Sequence, residues 1–333
     1  MKKIDPLFDA VESFFIDHLQ RTRGYSPCTL ASYRDALRLF LDYSAGVHKV
    51  TVDRLRLSDL DVKLVLGFLD YLEQDRHNAV STRNCRLAIL HSFFAHVLRR
   101  HPDQAGRIAR IIALPSKRHC LSPPRYLDPP TVRTLLRHPD RQTASGRRDY
   151  ALLLFLYNTG ARVSEVTALH GQDLMPGSAV KLRGKGNKER VCPLWPQTIA
   201  AIKAQWPSAK EHPDQPVFRN ARGQGLSRHG VYHILRRHAD MLHQDDPQFP
   251  AKVWPHLMRH SCAVALLQAG VELVTIRDQL GHASVATTSR YATSNLKLKR
   301  AALEAFWAVA GLASPRRGSW KPSPKLSQFL RSL

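Results

Sequence analysis

Apolar residues recur at helical spacing through the first hundred positions. Leu7, Val11, Phe14, Phe15 and Leu19 mark one amphipathic helix. Ser26 followed by Pro27 reads as an N-cap with proline at the first helical position, and Leu30, Tyr33, Leu37, Phe40 and Leu41 form the apolar face behind it. Ser58 opens a third helix, with Asp59 and Asp61 in the first turn where the dipole favours anions, and Val65, Phe68, Leu69 and Leu72 behind. Ser81 opens a fourth, which buries Leu87, Leu90, Phe94 and Val97 and presents Arg83, Arg86, Arg99 and Arg100 outward. Four such helices with short connections predict a small bundle over residues 1–113.

The pattern breaks at 114–130 (LPSKRHCLSPPRYLDPP), where five prolines replace periodicity. Residues 114–125 read as a linker, and its Lys117, Arg118 and Arg125 are placed to track a phosphate backbone. A mixed region follows over 126–310. Asp128-Pro129-Pro130 caps a helix reaching Leu136, and Arg147–Asn158 is a buried helix stopped by Gly160. Val180–Pro193 predicts two short strands joined by a turn at Gly184–Asn187. Helices are expected at Gln197–Gln205, Arg228–Met241, His256–Ala269 and Glu272–Leu280. Residues 311–333 are a basic tail broken by Pro315, Pro322 and Pro324. The fold class expected is mainly α with a small β-sheet.

Charge then narrows the partner. Lys plus Arg is 50 and Asp plus Glu 27 in 333 residues, a formal charge of +23, while a 43% hydrophobic content suits a chain with real cores. Such an excess repels itself unless a polyanion neutralises it, which points to nucleic acid or an anionic membrane surface. The longest apolar run, Tyr150–Tyr157, is far short of a membrane span, and Asp9, Glu12 and Asp17 interrupt any signal-peptide core. The five cysteines are scattered with no Cys-x-x-Cys pair, which argues for a reducing compartment. A cytoplasmic, nucleoid-associated protein bound to double-stranded DNA is the expectation, with no cofactor and no membrane.

Several chemistries lack their residues. Gly184-Lys185-Gly186 has neither Walker nor dinucleotide spacing, and no carboxylate cluster suggests a two-metal nuclease. His256 and His260 are spaced like zinc-protease ligands, but Leu257 stands where the catalytic Glu belongs. What remains is cationic. Arg162 follows the helix stop at Gly160, Arg259 lies one turn from His256 on the same face, and Pro255 puts His256 in a first turn that attracts anions.

These residues fall into five motifs: 159–165 (TGARVSE), 184–190 (GKGNKER), 255–260 (PHLMRH), 280–284 (LGHAS) and Tyr291 nine residues after His282. In this order and approximate spacing the chain resembles the tyrosine recombinases, the phage-integrase family, and most closely its bacterial Xer-like branch. The resemblance covers Tyr126 to about Ala310, with a weaker likeness of the helical region to the family's core-binding domain. It departs at Ala161, where the Xer-like branch carries a bulkier apolar residue, and in the longer segment after Tyr291.

The resemblance implies a two-domain clamp and a site-specific DNA strand transferase. Tyr291 takes the nucleophile's place, forming a 3′-phosphotyrosyl link; Arg162 and Arg259 are the paired arginines, Lys185 the hairpin lysine, His256 and His282 the two histidines, and Glu165 the acid supporting Arg162. The chemistry agrees. Two guanidiniums offer planar donors to a pentavalent phosphorane, Lys185 is the candidate proton donor to the leaving 5′ oxygen, and His256 the candidate base for a phenol of ordinary pKa near 10. Lys188 competes with Lys185 for its role, and His260, Tyr150, Tyr157, His229 and His233 read as structural or surface residues. By the same resemblance the protein works as a tetramer on paired sites, a dimer per site, with an accessory or partner recombinase conceivable. Leu296–Ala310, or failing it the helical pattern around Leu326, would make the contact between protomers. Two other readings stay open: a type IB topoisomerase-like relaxing enzyme, and a catalytically silent DNA-binding regulator.

Overall fold

Prolines at 27, 129, 196 and 255 each stand at the first turn of a helix, where a missing N–H costs nothing and the fixed φ is already helical. The structure, a computed structural model, describes residues 6–118, 124–184, 188–206, 212–281, 284, 288–289 and 328. The chain divides into two compact units, Met1–Leu121 and Ser122–Leu333.

The described part of the first unit is helical: α1 (Pro6–Ser13) runs into a π-wound segment (Phe14–Thr22), followed by α2 (Pro27–His48), α3 (Val62–Gln74), α4 (Val80–Arg100) and α5 (Ala105–Ile112). Phe14, Phe40, Phe68, Phe93 and Phe94 are wholly buried at its centre, where edge-to-face pairs such as Phe40–Phe68 (5.2 Å) and Phe14–Phe93 (5.4 Å) add to the area they bury. The third helix starts later than its pattern predicts. Leu57–Asp59 is a 3₁₀ turn, and Asp61 rather than Ser58 caps α3 by accepting from Leu64 N at 2.7 Å. Helix α5 was not anticipated; Ile108 and Ile111 are its buried residues.

The outward placement expected for Arg83 also needs correcting. It is 9% exposed, with its Nε 3.4 Å from a carboxylate oxygen of Glu73, which draws the guanidinium inward. Lys117 Nζ lies 2.7 Å from the other Glu73 oxygen. The Asn84 amide grips the Lys117 backbone at both ends, donating to its carbonyl (2.7 Å) and accepting from its N–H (3.0 Å).

The second unit is helical around a small sheet: α6 (Pro129–Arg137), α7 (Ala144–Thr159), α8 (Val163–Thr167), β1 (Leu174–Met175), β2 (Ala179–Arg183), β3 (Glu189–Pro193), α9 (Pro196–Gln205), α10 (Arg228–Asp245), α11 (Pro255–Gln268) and α12 (Leu273–Leu280). The class is as the pattern predicts, mainly α with a small sheet. The sheet has three antiparallel strands in the order β1-β2-β3 where two were anticipated, because a two-residue strand, Leu174–Met175, pairs with β2. Helix α7 is the spine: its run from Ala151 to Leu156 is buried throughout, the pattern of a helix covered on every side. Asp149, near its start and fully buried, is held by Arg148 (2.7 Å), Arg237 (2.5 Å) and His238 (3.1 Å).

Candidate active site

The site assembles where two helices stop. Helix α7 ends at Gly160 in the left-handed region (φ 59°), and α12 ends the same way at Gly281 (φ 64°), a conformation that suits residues without Cβ. Ending there leaves carbonyl oxygens without helical partners. Three arginines from three other segments take up those of α12. Arg190 Nε donates to Gln279 O (2.9 Å), Arg259 Nη2 to Leu280 O (2.6 Å) and Arg162 Nη2 to Gly281 O (2.9 Å). Arg259 Nη1 also donates to Gly160 O at 2.6 Å, which joins the two helix ends. A helix C-terminus carries about half a negative charge, so it is a sound anchor for cations brought this close together.

Glu165 supplies the balancing anion. Arg162 is the N-cap of α8 and Glu165 lies one turn in, its Oε2 accepting from Arg162 N at 2.8 Å and its Oε1 from Arg162 Nη1 at 2.9 Å. Arg190 completes a bidentate pair on the same carboxylate, at 2.7 and 2.8 Å. The Glu165 side chain has no exposure to solvent. Burial alone pushes its carboxyl up, but the Arg190 and Arg162 guanidiniums outweigh that and hold it below the usual carboxylate range.

His256 stands in the first turn of α11, one turn before Arg259, with its ring 4.2 Å from that of His260. Desolvation first, then the charges of Arg259 and Arg162, push its imidazole below the ordinary histidine value. The ring is therefore neutral near pH 7 and able to accept a proton. Beneath the site Cys262 is buried, its thiol pushed up to about 12, which removes it from nucleophilic chemistry.

Arg162, Glu165, His256 and Arg259 are thus brought together. Lys185, His282 and Tyr291 lie outside the described residues, as do Leu296–Ala310 and Leu326. The chain neighbours of the first two are close by. A Cβ on Gly184 would stand 3.2 Å from Glu165 Oε1 and 3.7 Å from Arg162 Nη1, and Gly281 carries the carbonyl that Arg162 holds. Lys188, the rival lysine, is exposed. Of the basic residues expected toward DNA, Arg83 and Lys117 are ion-paired with Glu73, Arg86 is half-buried, and Arg118 and Arg125 are exposed. Among the described residues no cluster of three or more His, Cys, Asp or Glu is placed to hold a metal ion.

Sequence reasoning gave Arg190 no role. The alternation of β2 held the signal. Val180 and Leu182 point inward, and Leu182 pairs with Arg190 as Val180 pairs with Cys192, so Arg190 occupies a core-facing position of β3.

Residues 125–297 match the profile of the phage integrase family, and residues 13–101 that of the phage integrase N-terminal SAM-like domain. The chain belongs to the phage integrase family. A Sinorhizobium fredii relative named as an integrase/recombinase is 39% identical to this family member over 337 residues, covering 100% of both chains. The tyrosine recombinase XerC of Pelobacter propionicus is 33% identical over 294 residues, 86% of this chain and 91% of its own length. Among solved structures, the recombinase XerH bound to its difH substrate in a pre-cleavage complex superposes with a TM-score of 0.64 over 91% of this integrase-family chain and 88% of XerH. At 19% identity that likeness is one of fold.

Proposed function

We propose that this phage-integrase-family chain is a site-specific DNA recombinase that cuts and rejoins strands through Tyr291. The Tyr291 hydroxyl attacks a backbone phosphorus, its proton passing to neutral His256; the P–O5′ bond breaks, and Lys185 gives the departing 5′ oxygen its proton. Arg162 and Arg259 stabilise the charge that grows on the non-bridging oxygens, donors of a kind typically worth ~10²–10³ each in rate. His282 orients the phosphate and Glu165 holds Arg162. The phosphotyrosyl ester keeps the energy of the broken bond, so a 5′ hydroxyl from another strand can reverse the step and rejoin DNA without ATP.

One observation carries the reading: Arg162 and Arg259, from segments almost a hundred residues apart, are fixed on adjacent carbonyls at the end of α12, with a neutral imidazole beside them. The net charge of +23 fits a DNA partner, for which exposed Arg118 and Arg125 and half-buried Arg86 are contact candidates, while Arg83 and Lys117 would first have to leave Glu73. No described helix is long and apolar enough to cross a membrane. Work as a dimer on each site and a tetramer on two is part of the proposal, drawn from the family resemblance, with one Tyr291 supplied for each of the four strands cut in an exchange. Incubation with DNA flanking its own gene is expected to give an SDS-stable adduct that Tyr291→Phe abolishes; an adduct that survives the substitution would move the nucleophile elsewhere. Relaxed circles without junction products would favour a topoisomerase instead.

A further inference from the structure

Three guanidiniums share one helix end, and the proposed chemistry uses two of them. The third, Arg190, has its Nε, Nη1 and Nη2 all committed to acceptors within the protein, Gln279 O and the two oxygens of Glu165. Besides a contact with Cys192 on its own strand, its bonds lead to the surroundings of the proposed pair. Its fork spans both oxygens of Glu165, whose other bonds fix Arg162 by backbone and guanidinium alike. Its Nε holds Gln279 O, the carbonyl preceding the two that Arg259 and Arg162 hold. Its side chain also fills the space a Cβ on Gly281 would take, with Nη1 3.0 Å and Cδ 3.1 Å from that point. Because Arg190 belongs to β3 while Gly184 begins the preceding turn, the same side chain ties the hairpin that carries Lys185 to the arginine pair.

We infer that Arg190 is a positioning residue for strand cleavage: through Glu165 and the last turn of α12 it sets the orientation of the Arg162 guanidinium, and with it the register between that guanidinium and the β2–β3 hairpin. The inference rests on the proposed role of Arg162. A planar fork is needed, since a lysine ammonium keeps the charge but cannot reach both carboxylate oxygens and the Gln279 carbonyl at once. A misplacement of about 1 Å at such a group costs on the order of 10²-fold in rate.

The test is single-turnover adduct formation by the full chain on nicked duplexes cut from the DNA flanking its own gene, with duplex affinity and thermal unfolding measured alongside. Arg190→Gln is expected to slow adduct formation about 10–100-fold while duplex affinity stays within about twofold. The effect is expected to vanish in the Arg162→Ala background, because a residue acting through Arg162 has nothing left to act on. If Arg190→Gln does not fold, Arg190→Lys is taken through the same cycle. A rate within about threefold of the parent, or an equal slowing with and without Arg162, overturns the inference, the second result marking Arg190 as a stability residue. A Tyr291→Phe protein that still forms the adduct overturns the proposed nucleophile instead, and leaves the Arg190–Arg162 coupling to be read from the same rates.

Discussion

In each unit a carboxylate lies between two cations, Glu73 in one and Glu165 in the other, and the two clusters behave differently. In the helical unit Glu73 lies between Arg83 and Lys117 with 21% of its side chain exposed, and the lysine is 55% exposed. In the second unit Glu165 lies between Arg162 and Arg190 with no exposure at all. Water screens the first, so its worth is small and its service is to fasten the chain at Lys117, helped by the Asn84 amide. The second is dry. There the charges cannot be left uncompensated, each donor has a fixed acceptor, and the cluster becomes a jig for the groups around it. Composition is alike in both; solvent decides which one carries geometry.

The sharpest way to break the contrast is Glu165→Gln, which leaves two arginines facing a neutral amide in a dry site. Loss of about 3–5 kcal/mol in denaturant unfolding is expected, with adduct formation down at least ~10²-fold. The unbroken Glu165 sets a sign as well. Its folded pKa is depressed, so its contribution is present above the unfolded carboxylate value and is lost as pH falls through the folded one. The helical unit has the opposite kind of buried group. His96, 3.0 Å from Ser13 Oγ and closely packed against Phe14, is held down to about 4 by burial and by the positive charge near it. The unfolded chain binds that proton near pH 6.5 and the folded one does not, so stability should drop by about 3 kcal/mol between pH 6.5 and 4. In His96→Leu the urea midpoint should depend less on pH across that interval.

Gly281→Ala comes next, placing a Cβ in a left-handed residue and 3.0 Å from Arg190 Nη1. A cost of about 1–3 kcal/mol is expected by thermal unfolding, with adduct formation impaired more than unfolding alone explains. Glu73→Gln should cost only about 1–2 kcal/mol and leave adduct formation within a few-fold, since Lys117 has water to turn to and the amide oxygen can still accept from buried Arg83. Asn84→Ala is expected to have the smallest effect, about 1 kcal/mol. Its readout is faster tryptic cleavage after Lys117, whose backbone the amide no longer grips.

Much of the second site could be read in advance because its logic is local. The three-residue spacing of Arg162 to Glu165, and of His256 to Arg259, puts each pair on one helical face, and the glycines at 160 and 281 mark helix ends by their conformational freedom. Arg190 escaped because a charge on a strand is ordinarily read as facing water; only the inward register of Leu182 and Val180 on the neighbouring strand shows otherwise. Arg83 escaped for the reverse reason. It has helical spacing suited to an outer face, but Glu73 on α3 is near enough to draw it in, and that proximity arises from how α3 and α4 pack. Local patterns were legible, while partners contributed by another element were not.

What the three guanidiniums grip at the end of α12 is main chain, and this has a consequence for how the site tolerates change. The side chain at 279 can be exchanged without altering the oxygen that receives Arg190, whereas Leu280 is wholly buried and is held by its packing as well as by its carbonyl. Spacing is another matter. One residue inserted into the last turn of α12 would swing all three oxygens by about 100°, and three anchorages contributed from distant parts of the chain would be lost together.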